Sequence, residues 1–345
     1  MLLKRLVGVS AATLLAGGVL VLTAPIASAK ATLQGEGSTL VAPLETEWAA
    51  AWNSSTGNTV TYNAQGSGAG YKAIAQGLVD FGASDAPLSA YSSPPCNSCV
   101  QIPWALSATG VSYNLPGLRL KRGKSLHLSP SVLAQIYLGQ ITNWSDHRIT
   151  RLNKGSHIPS TPITPIWRSD ASGDSFAFSS ELSDASSAFR SSVGASTSPS
   201  FKAGVGAKGN SGMAATLAGT NGGIAYISVA YLLANNLPAA GIQNKAGKYT
   251  VPNLNAIENA ASIFKSVPAN NQLTIVNPGK RAKYAYPIST YTYVMVPTNA
   301  RQGALLQQFI GYALGSGQSF GPRLGFAPLP KTVLKAARAT LSRIQ

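Results

Sequence analysis

The stretch Asp80-Phe-Gly-Ala-Ser-Asp-Ala-Pro-Leu-Ser89 places the acidic side chain of Asp85 among small and apolar residues. A second stretch, Arg168-Ser-Asp-Ala-Ser-Gly-Asp-Ser175, follows the extended apolar segment Thr161–Trp167 and is rich in hydroxyl groups. An arginine at the end of a strand can offer a planar pair of N–H donors to an oxyanion. The two stretches together predict an anion site that also contains a carboxylate.

Three turns rich in glycine, serine or threonine each precede a predicted helix. They are Gly35-Glu-Gly-Ser-Thr39 before Leu40–Trp52, Gly66-Ser-Gly-Ala-Gly70 before Tyr71–Leu78, and Ser172-Gly-Asp174 before Ser175–Leu182. In the first helix Leu44, Trp48 and Trp52 recur at helical spacing, and Pro43 falls in the first turn, where proline is tolerated. Helix N-termini carry unpaired N–H groups and partial positive charge. Three of them converging on one point would bind an anion without a metal.

Asp85 discriminates among anions, because an ionised carboxylate only accepts hydrogen bonds and repels a fully deprotonated anion. Phosphate keeps at least one proton near neutral pH, since its second pKa is about 6 to 7 by analogy with phosphoryl side chains. Sulfate has no proton to donate under the same conditions. We therefore expect the site to bind phosphate and to reject sulfate, which would leave the carboxylate unpaired.

Strand-like and helix-like segments alternate along the chain without an internal repeat, which is typical of an α/β protein. The predicted strands are Thr59–Tyr62, Gly110–Tyr113, Ile163–Trp167, Gly223–Tyr226 and Tyr291–Val296. Further predicted helices are Ser129–Leu138, Gly212–Leu217 and Arg301–Leu314. The serine- and alanine-rich run Ser183–Ser200 is predicted to be a surface loop.

A series of short segments runs in order through nearly the whole mature chain. They are Gly35–Pro43, Gly57-Asn58 with Val60 and Tyr62, Asp80–Ser89, Tyr113–Gly117, Ile136–Trp144, Arg168–Phe176, Gly204–Asn210, Gly223–Tyr226 and Tyr286–Ser289. In this order they resemble the substrate-binding proteins of high-affinity phosphate ABC transporters, a family of periplasmic binding proteins. The resemblance implies a two-lobed α/β fold of type II, each lobe a sheet flanked by helices. Lobe I would comprise 31–108 plus 286–345 and lobe II 109–285, with two chain crossings as the hinge.

The resemblance also implies which residues hold the ligand. They are Thr39, Leu40, Ser67, Asp85, Arg168, Ser172, Gly173 and Asp174. Two of them depart from the common pattern of the family, since Leu40 stands where Phe is frequent and Asp174 where Thr is frequent. The first change is mild because the expected contact is a backbone N–H. We interpret Asp174 as an acidic residue of the first helix turn, favoured by the helix dipole, the alternative being direct side-chain contact with the ligand.

The function implied is that of an extracytoplasmic receptor that binds inorganic phosphate between the lobes and delivers it to the membrane permease subunits of an ABC transporter. We expect a monomer, no catalysis, no cofactor and no metal. The alternatives are a phosphatase and a surface interaction protein on the same fold. For the latter, the amphipathic run Lys331–Gln345 either packs on the first lobe or docks to a membrane or permease. The lone G-x-G-x-x-G match at Gly204–Gly209 is weak evidence for a dinucleotide, because no acidic residue follows near twenty positions on.

Composition sets wider bounds. The chain has 345 residues, enough for two domains, and 27 Lys and Arg against 11 Asp and Glu give a net charge of +16. The cations are scattered apart from one cluster at Arg119–Lys124, so we expect no nucleic-acid partner. A solvated surface, attraction of a small anion and adaptation to acid surroundings all remain open explanations.

Residues 1–29 have the pattern of a secretory signal peptide: Lys4 and Arg5, an apolar stretch, and Ala27-Ser-Ala29 as a cleavage site. We therefore expect export to the periplasm or cell envelope, the alternative being an uncleaved membrane anchor. In an exported protein, Cys96 and Cys99 are expected to form a local disulfide. The three histidines, at 127, 147 and 157, lack metal-ligand spacing.

Overall fold

The computed structural model describes residues 30–92 and 96–345, so the predicted signal peptide lies outside the described residues. The strands are β1 Thr32–Gly37, β2 Thr59–Asn63, β3 Phe81–Ser84, β4 Cys99–Asn114, β5 His127–Leu128, β6 Thr164–Arg168, β7 Val205–Ala207, β8 Gly223–Ser228, β9 Gly241–Gln243, β10 Tyr249–Thr250 and β11 Ser289–Pro297. The α-helices are α1 Ala42–Thr56, α2 Ser67–Ala75, α3 Pro130–Tyr137, α4 His147–Thr150, α5 Gly173–Ala185, α6 Ser187–Ser192, α7 Gly209–Gly219, α8 Val229–Ala234, α9 Leu254–Ala261, α10 Gly303–Ala313 and α11 Lys331–Thr340. None of the helices in this part of the chain is long and apolar enough to cross a membrane.

Eight strands form one mixed sheet in the order β2-β1-β3-β11-β4-β8-β6-β7. Strand β1 pairs in parallel with β2 and β3, and β6 pairs in parallel with β7 and β8. The long strand β4 pairs antiparallel with β11 from Cys99 to Ala108 and with β8 from Thr109 to Asn114. A second, small sheet has the order β10-β9-β5. The predicted α/β class is confirmed.

Helix α1 shows how the sequence pattern builds the core. Leu44, Trp48 and Trp52 are buried along one side, and proline occupies the first turn, both as predicted. The Trp48 indole donates to the carbonyl oxygen of Gly317 at 2.8 Å and lies 5.0 Å, centroid to centroid, from the ring of Trp104. Burial of each such side chain contributes about 1.5–3 kcal/mol.

All three predicted turns are shorter than expected, and in the third α5 begins at Gly173 instead of Ser175. Strand β1 extends through Gly37, so only the end of Gly35–Thr39 is a turn. The prediction of a turn over Gly66–Gly70 is wrong, because α2 already begins at Ser67. The glycines inside this helix serve close packing: a Cβ placed on Gly68 would lie 2.4 Å from the Cβ of Ala171. Glycine is a poor helix former, so the local sequence does not indicate a helix at these positions.

Two other predictions concern helices near the surface. The run Ser183–Ser200 is not simply a loop, because it contains the end of α5 and the whole of α6, whose N-cap Ser186 accepts a hydrogen bond from the N–H of Phe189. The apolar side of Lys331–Gln345 packs inward, with Val333, Ala337 and Ile344 fully buried. This burial agrees with the packed interpretation of the C-terminal helix α11.

The remaining predicted elements are present, with shifted boundaries. Gly110–Tyr113 is only the last part of the 16-residue strand β4, whose first part was missed. Strand β3 was also missed, since its four residues Phe-Gly-Ala-Ser show no alternation of apolar and polar side chains. Cys96 and Cys99 are joined in a disulfide.

Candidate anion-binding site

The carboxyl ends of four strands in the main sheet lead directly into one cluster of polar residues. β1 is followed by Ser38 and Thr39, β3 by Asp85, and β7 by Lys208 and α7, while β6 ends on Arg168 itself. In open α/β sheets ligands bind beyond the carboxyl ends of strands. We call the group that meets there the anion cluster. Its members are Ser38, Thr39, Leu40, Ser67, Asp85, Thr109, Arg168, Asp170, Ser172, Gly173, Asp174, Asn210 and Thr292.

Asp85 is surrounded by hydroxyl donors. The Ser38 hydroxyl lies 2.8 and 2.6 Å from the two carboxylate oxygens, and Thr292 Oγ1 donates to Oδ1 at 2.7 Å. The Ser67 hydroxyl lies 3.3 Å from Oδ2. The side chain is buried, with 2% of the residue surface exposed. All of these groups supply rotatable O–H donors, so the carboxylate is solvated by the protein instead of by water.

Burial and, to a smaller extent, the nearby carboxylate of Asp174 raise the pKa of Asp85 to about 7, against the lowering effect of the hydrogen bonds from Ser38 and Thr292. A carboxyl group in this state exchanges a proton near neutral pH. It can therefore accept a hydrogen bond from a protonated oxyanion or donate one when it is itself protonated.

Arg168 is held by two aspartates. Its Nε donates to Asp170 Oδ1 at 2.8 Å, its Nη2 donates to Asp170 Oδ2, and its Nη1 donates to Asp174 Oδ2 at 2.9 Å. These carboxylates raise the pKa of Arg168 despite the opposing effect of burial, while Arg168 outweighs burial and lowers the pKa of Asp170. Guanidinium has five N–H donors. Within the described part of the chain, three of these donors are bonded to the two aspartates, which leaves two for an oxyanion.

Asp174 lies in the first turn of α5, as predicted, but its side chain does not point away from the cluster. It is fully buried and accepts hydrogen bonds from Thr109 Oγ1 at 2.6 Å and Asn210 Nδ2 at 2.8 Å, besides the one from Arg168. Burial raises the pKa of Asp174. The same Asn210 amide donates to Thr39 Oγ1 at 2.9 Å. Asp174 is thus tied to Thr39 through a single amide.

Backbone N–H groups complete the cluster. The N–H of Leu40 donates to Ser38 Oγ at 3.0 Å, and that of Gly173 donates to Ser67 Oγ at 3.1 Å. Ser172 caps α5 by accepting from the N–H of Ser175. A Cβ on Gly173 would lie 2.5 Å from the Cβ of Asp85, so glycine is required for this approach. The structure thus brings all eight predicted site residues together in the anion cluster.

Five members of the cluster were not predicted. Ser38 and Asp170 lie inside motifs quoted above, and Asp170 follows Arg168 by two residues, the spacing that places extended side chains on one face. Asn210 lies in the first turn of α7, a fourth helix N-terminus at the cluster. Thr109 and Thr292 come from the interiors of long strands. No local signal marks these two threonines.

The G-x-G-x-x-G segment has a different setting from a dinucleotide fingerprint. Strand β7 lies inside the motif instead of preceding it, and Gly209 opens α7 with a positive φ of 66°. The N–H of Gly209 donates to Asp170 Oδ1 at 2.9 Å. The last glycine of the motif therefore supports the aspartate that holds Arg168. Among the described residues no group of three His, Cys, Asp or Glu side chains is arranged to hold a metal ion.

Comparison with known proteins identifies the family. The model of the PBP superfamily domain matches residues 23–316. The phosphate-binding protein PstS of Xylella fastidiosa strain Temecula1 is 33% identical over 310 residues, covering 89% of this chain and 84% of the relative. This chain belongs to the PstS family of phosphate-binding proteins. Phosphate-binding protein PstS 2 of Mycobacterium tuberculosis is another relative, 32% identical over 307 residues, covering 84% of this chain and 80% of its own.

Solved structures agree with PstS membership at the level of the fold. A high affinity periplasmic phosphate-binding protein, PfluDING, bound with phosphate, superposes with a TM-score of 0.70 at 20% identity, covering 90% of this chain and 93% of its own. A putative phosphate ABC transporter substrate-binding protein with bound phosphate from Clostridium perfringens superposes with a TM-score of 0.62 at 17% identity, covering 87% of this chain and 100% of its own. The predicted resemblance and the periplasmic-binding-protein fold are confirmed.

Proposed function

We propose that this chain is an extracytoplasmic receptor that binds inorganic phosphate in the anion cluster and delivers it to the permease of an ABC transporter. The observation that carries the proposal is that Asp85 and Arg168 meet beyond the carboxyl ends of β3 and β6, two strands of the same sheet. Arg168 keeps two N–H donors beyond those bonded to Asp170 and Asp174. Asp85 offers a buried acceptor for a ligand proton. This combination favours an oxyanion that is both negative and protonated.

The backbone donors explain how phosphate would enter the network. The N–H groups of Leu40 and Gly173 are bonded to serine hydroxyls, which can rotate. A bound phosphate would take over these N–H groups and accept hydrogen bonds from Thr39 and Ser172. The helix N-termini of α1, α2 and α5 would add their dipoles to the field at the anion.

We propose the lobe boundaries already inferred from the sequence, 31–108 plus 286–345 and 109–285. The register of β4 supports this division, since the strand changes its partner from β11 to β8 between Ala108 and Thr109. Thr39, Ser67 and Asp85 would then belong to one lobe, and Arg168, Ser172 and Gly173 to the other. Phosphate would be enclosed by closure of the lobes about β4 and the crossing near residue 286.

We also propose binding without catalysis, in a chain exported through the leader at residues 1–29. The histidines, which commonly activate nucleophiles, lie elsewhere: His127 stacks on Tyr249, and the backbone of His157 pairs with that of Arg119. His147 is exposed at the start of α4. Absence of turnover of a chromogenic phosphate ester at high protein concentration would support this view, and turnover abolished by an Arg168 substitution would contradict it.

The decisive test is calorimetric titration of the purified protein with phosphate and then with sulfate. We expect one phosphate per chain and sulfate at least about 100-fold weaker, because sulfate cannot supply the proton that Asp85 needs. Asp85→Asn should reduce the ratio of phosphate affinity to sulfate affinity by about tenfold or more, since the amide of asparagine can donate to sulfate. The matched control is Asp80→Asn, which changes a buried aspartate that bonds the N–H of Gln34 outside the cluster. Equal binding of both anions by the wild-type protein would refute the proposal.

A further inference from the structure

The basic segment Arg119–Lys124 takes no part in the anion cluster. A second basic segment, Arg151–Lys154, leads to the strand-like pairing that joins the two segments. There the backbones of Arg119 and His157 exchange two hydrogen bonds, at 3.0 and 2.8 Å. We call the surface that the two segments form the basic face. Its cations are all exposed and are Arg119, Lys121, Arg122, Lys124, Arg151 and Lys154.

Hydrogen bonds fix the backbone of the basic face. The N–H of Lys124 donates to the carbonyl oxygen of Lys121 at 3.0 Å, closing a turn in which Gly123 has a positive φ of 74°. In the second segment, the buried side chain of Asn153 accepts from the N–H of His127 at 2.8 Å and donates to its carbonyl oxygen at 2.9 Å. A fixed backbone lowers the entropy that a partner must overcome on binding.

The cations of the basic face have no acidic partner. Asp146 is the only acidic residue between positions 86 and 169, and its carboxylate is bonded to Arg148 at 2.7 Å. In the described part of the chain none of the six cations forms an ion pair. Like charges on adjoining segments repel one another, and a partner that carries several negative charges relieves this repulsion.

The basic face begins at the opposite end of the main sheet from the anion cluster. Strand β4 runs from Thr109, which donates to Asp174 in the cluster, to Asn114, about 17 Å further along the strand. The chain then continues to Arg119. Strand β6, which follows the second basic segment, runs antiparallel to β4 and ends on Arg168 in the cluster. A partner on the basic face therefore leaves the anion cluster uncovered.

The basic face lacks the apolar side chains of a membrane-binding surface. Surfaces that bind membranes usually insert apolar side chains between the lipid head groups. Leu118 and Leu120, which lie between the cations, instead pack against the core. The large apolar side chains that are exposed in the described part of the chain lie outside the two basic segments and are Leu78, Val205, Leu233, Ile263 and Tyr284. Delivery to a permease also requires the anion cluster to face the membrane, which turns the opposite end of the sheet away from it.

We propose that the basic face binds a linear polymer of phosphate groups in the cell envelope and thereby retains the receptor there. The inference rests on the proposed function, because an exported receptor meets envelope polymers instead of nucleic acid. Each of the three arginines can offer a planar pair of N–H donors to a phosphate group, and the lysines add point charges. A polymer presents these groups in succession and releases its counterions as the cations replace them. A single phosphate ion cannot make several such contacts.

The experiment is fluorescence anisotropy of labelled long-chain inorganic polyphosphate mixed with the full protein. Saturating inorganic phosphate occupies the anion cluster, and the salt concentration is about 0.15 M. We expect binding that weakens steeply with salt, with log Kd rising by about 4 for each unit of log salt if six cations take part. Protein that does not bind polyphosphate under these conditions would overturn the inference.

The test variant removes four cations of the basic face and carries Arg119→Gln, Lys121→Gln, Arg122→Gln and Lys124→Gln. It should bind polyphosphate at least about 100-fold more weakly than wild type, because four of the phosphate contacts are lost.

The matched control removes the same number of exposed positive charges near the C-terminus and carries Arg301→Gln, Lys331→Gln, Lys335→Gln and Arg343→Gln. It should lose less than about fivefold in affinity for polyphosphate, since only the long-range field of the protein changes. Equal losses in the two variants would overturn the inference, because net charge alone would then explain the binding. Equal or tighter wild-type binding to phosphatidylglycerol vesicles, duplex DNA or polyglutamate would overturn the choice of a phosphate polymer.

Calorimetry with inorganic phosphate separates this inference from the proposed function. All eight replaced side chains are exposed and lie outside the anion cluster, so both variants should fold and bind phosphate like wild type. Wild-type protein that binds phosphate but not polyphosphate would overturn the inference and leave the proposed function standing. Wild-type protein that does not bind phosphate would refute the proposed function.

Discussion

Two pairs of buried carboxylates in this protein differ in their hydrogen-bond partners. Asp85 and Asp174, in the anion cluster, accept hydrogen bonds from hydroxyl, amide and guanidinium donors. Glu45 in α1 and Glu181 in α5 are equally buried, yet both carboxylate oxygens of Glu45 and Oε2 of Glu181 have no partner in the described part of the chain. Burial raises the pKa of each glutamate to about 8.

The difference shows that burial alone and burial with partners have different consequences. A carboxyl group without donors stays protonated at neutral pH and behaves as a neutral side chain. At Asp85 the donors offset much of the desolvation cost, so the group exchanges its proton near neutral pH and can respond to a ligand. The net charge of +16 counts both glutamates as ionised, so the folded chain is more positive than this when they are protonated.

Removing the cation from the anion cluster should produce the largest effect. Arg168→Met leaves Asp170 and Asp174 buried without their charged partner, which costs about 3–5 kcal/mol of stability. We expect at least about 100-fold weaker phosphate binding, measured by calorimetry, because the two free N–H donors are lost as well. Mildly acid pH should restore part of the stability, because Asp174 then binds a proton.

The matched control for this prediction is Arg148→Met. Arg148 also makes a two-point contact with an aspartate, Asp146, but both side chains are partly exposed. Denaturant unfolding should show a loss of about 1 kcal/mol or less, with no change in phosphate binding. Equal losses of stability in Arg168→Met and Arg148→Met would mean that the contact of Asp174 with Arg168 contributes no more to stability than a partly exposed ion pair.

Neutralising Glu45 should have the opposite effect on stability and make the protein more stable. The pKa of Glu45 is 4.5 in the unfolded chain and about 8 in the folded one, so the folded state binds more protons between these values. Stability contributed by this group therefore falls as pH rises from about 4.5 to 8. Glu45→Gln should be more stable than wild type at about pH 8.5, by on the order of 2–4 kcal/mol, and nearly equal to it at about pH 4.5.

Urea unfolding at the two pH values measures this difference. Glu47→Gln is the control on the same helix, because Glu47 is partly exposed and pairs with Arg323 at 2.6 Å. It should change stability by less than about 1 kcal/mol at either pH. Phosphate affinity should be unaffected by both substitutions. A Glu45→Gln protein that is less stable than wild type at the higher pH would show that the glutamate has an unrecognised partner.

The smallest effect is expected from removing one donor of Asp85. Thr292→Val keeps the shape of the side chain and deletes the 2.7 Å hydrogen bond to Oδ1, making Asp85 more like Glu45. The pKa of Asp85, followed by NMR of its carboxyl carbon, should rise, and stability should fall by about 1 kcal/mol. Thr290→Val is the control, since Thr290 Oγ1 donates to the backbone oxygen of Asp85 at 2.9 Å instead. A similar rise in both variants would contradict the role of Thr292.

The local patterns that were predictable concern single elements. Helix α1 followed from the spacing of Leu44, Trp48 and Trp52, and the first turn of α5 followed from Ser172 and Asp174. The eight predicted site residues were found through family motifs that carry small residues at fixed places. The predicted start of α2 was wrong because Gly68 lies inside the helix, where it allows contact with Ala171, more than a hundred positions away, and no local rule anticipates that contact.

The order of residues by itself determined the α/β class, the family, and the presence of an arginine and aspartates in small-residue loops after strands. These follow from side-chain periodicity and motif spacing, which are local properties of a chain. Only the tertiary structure decided that Asp174 faces Arg168, Thr109 and Asn210, that Thr292 donates to Asp85, and that Glu45 has no hydrogen-bond partner among the described residues. The reason is physical: the ionisation of a carboxyl group depends on burial and on donors brought from distant strands and helices, and sequence spacing does not specify either.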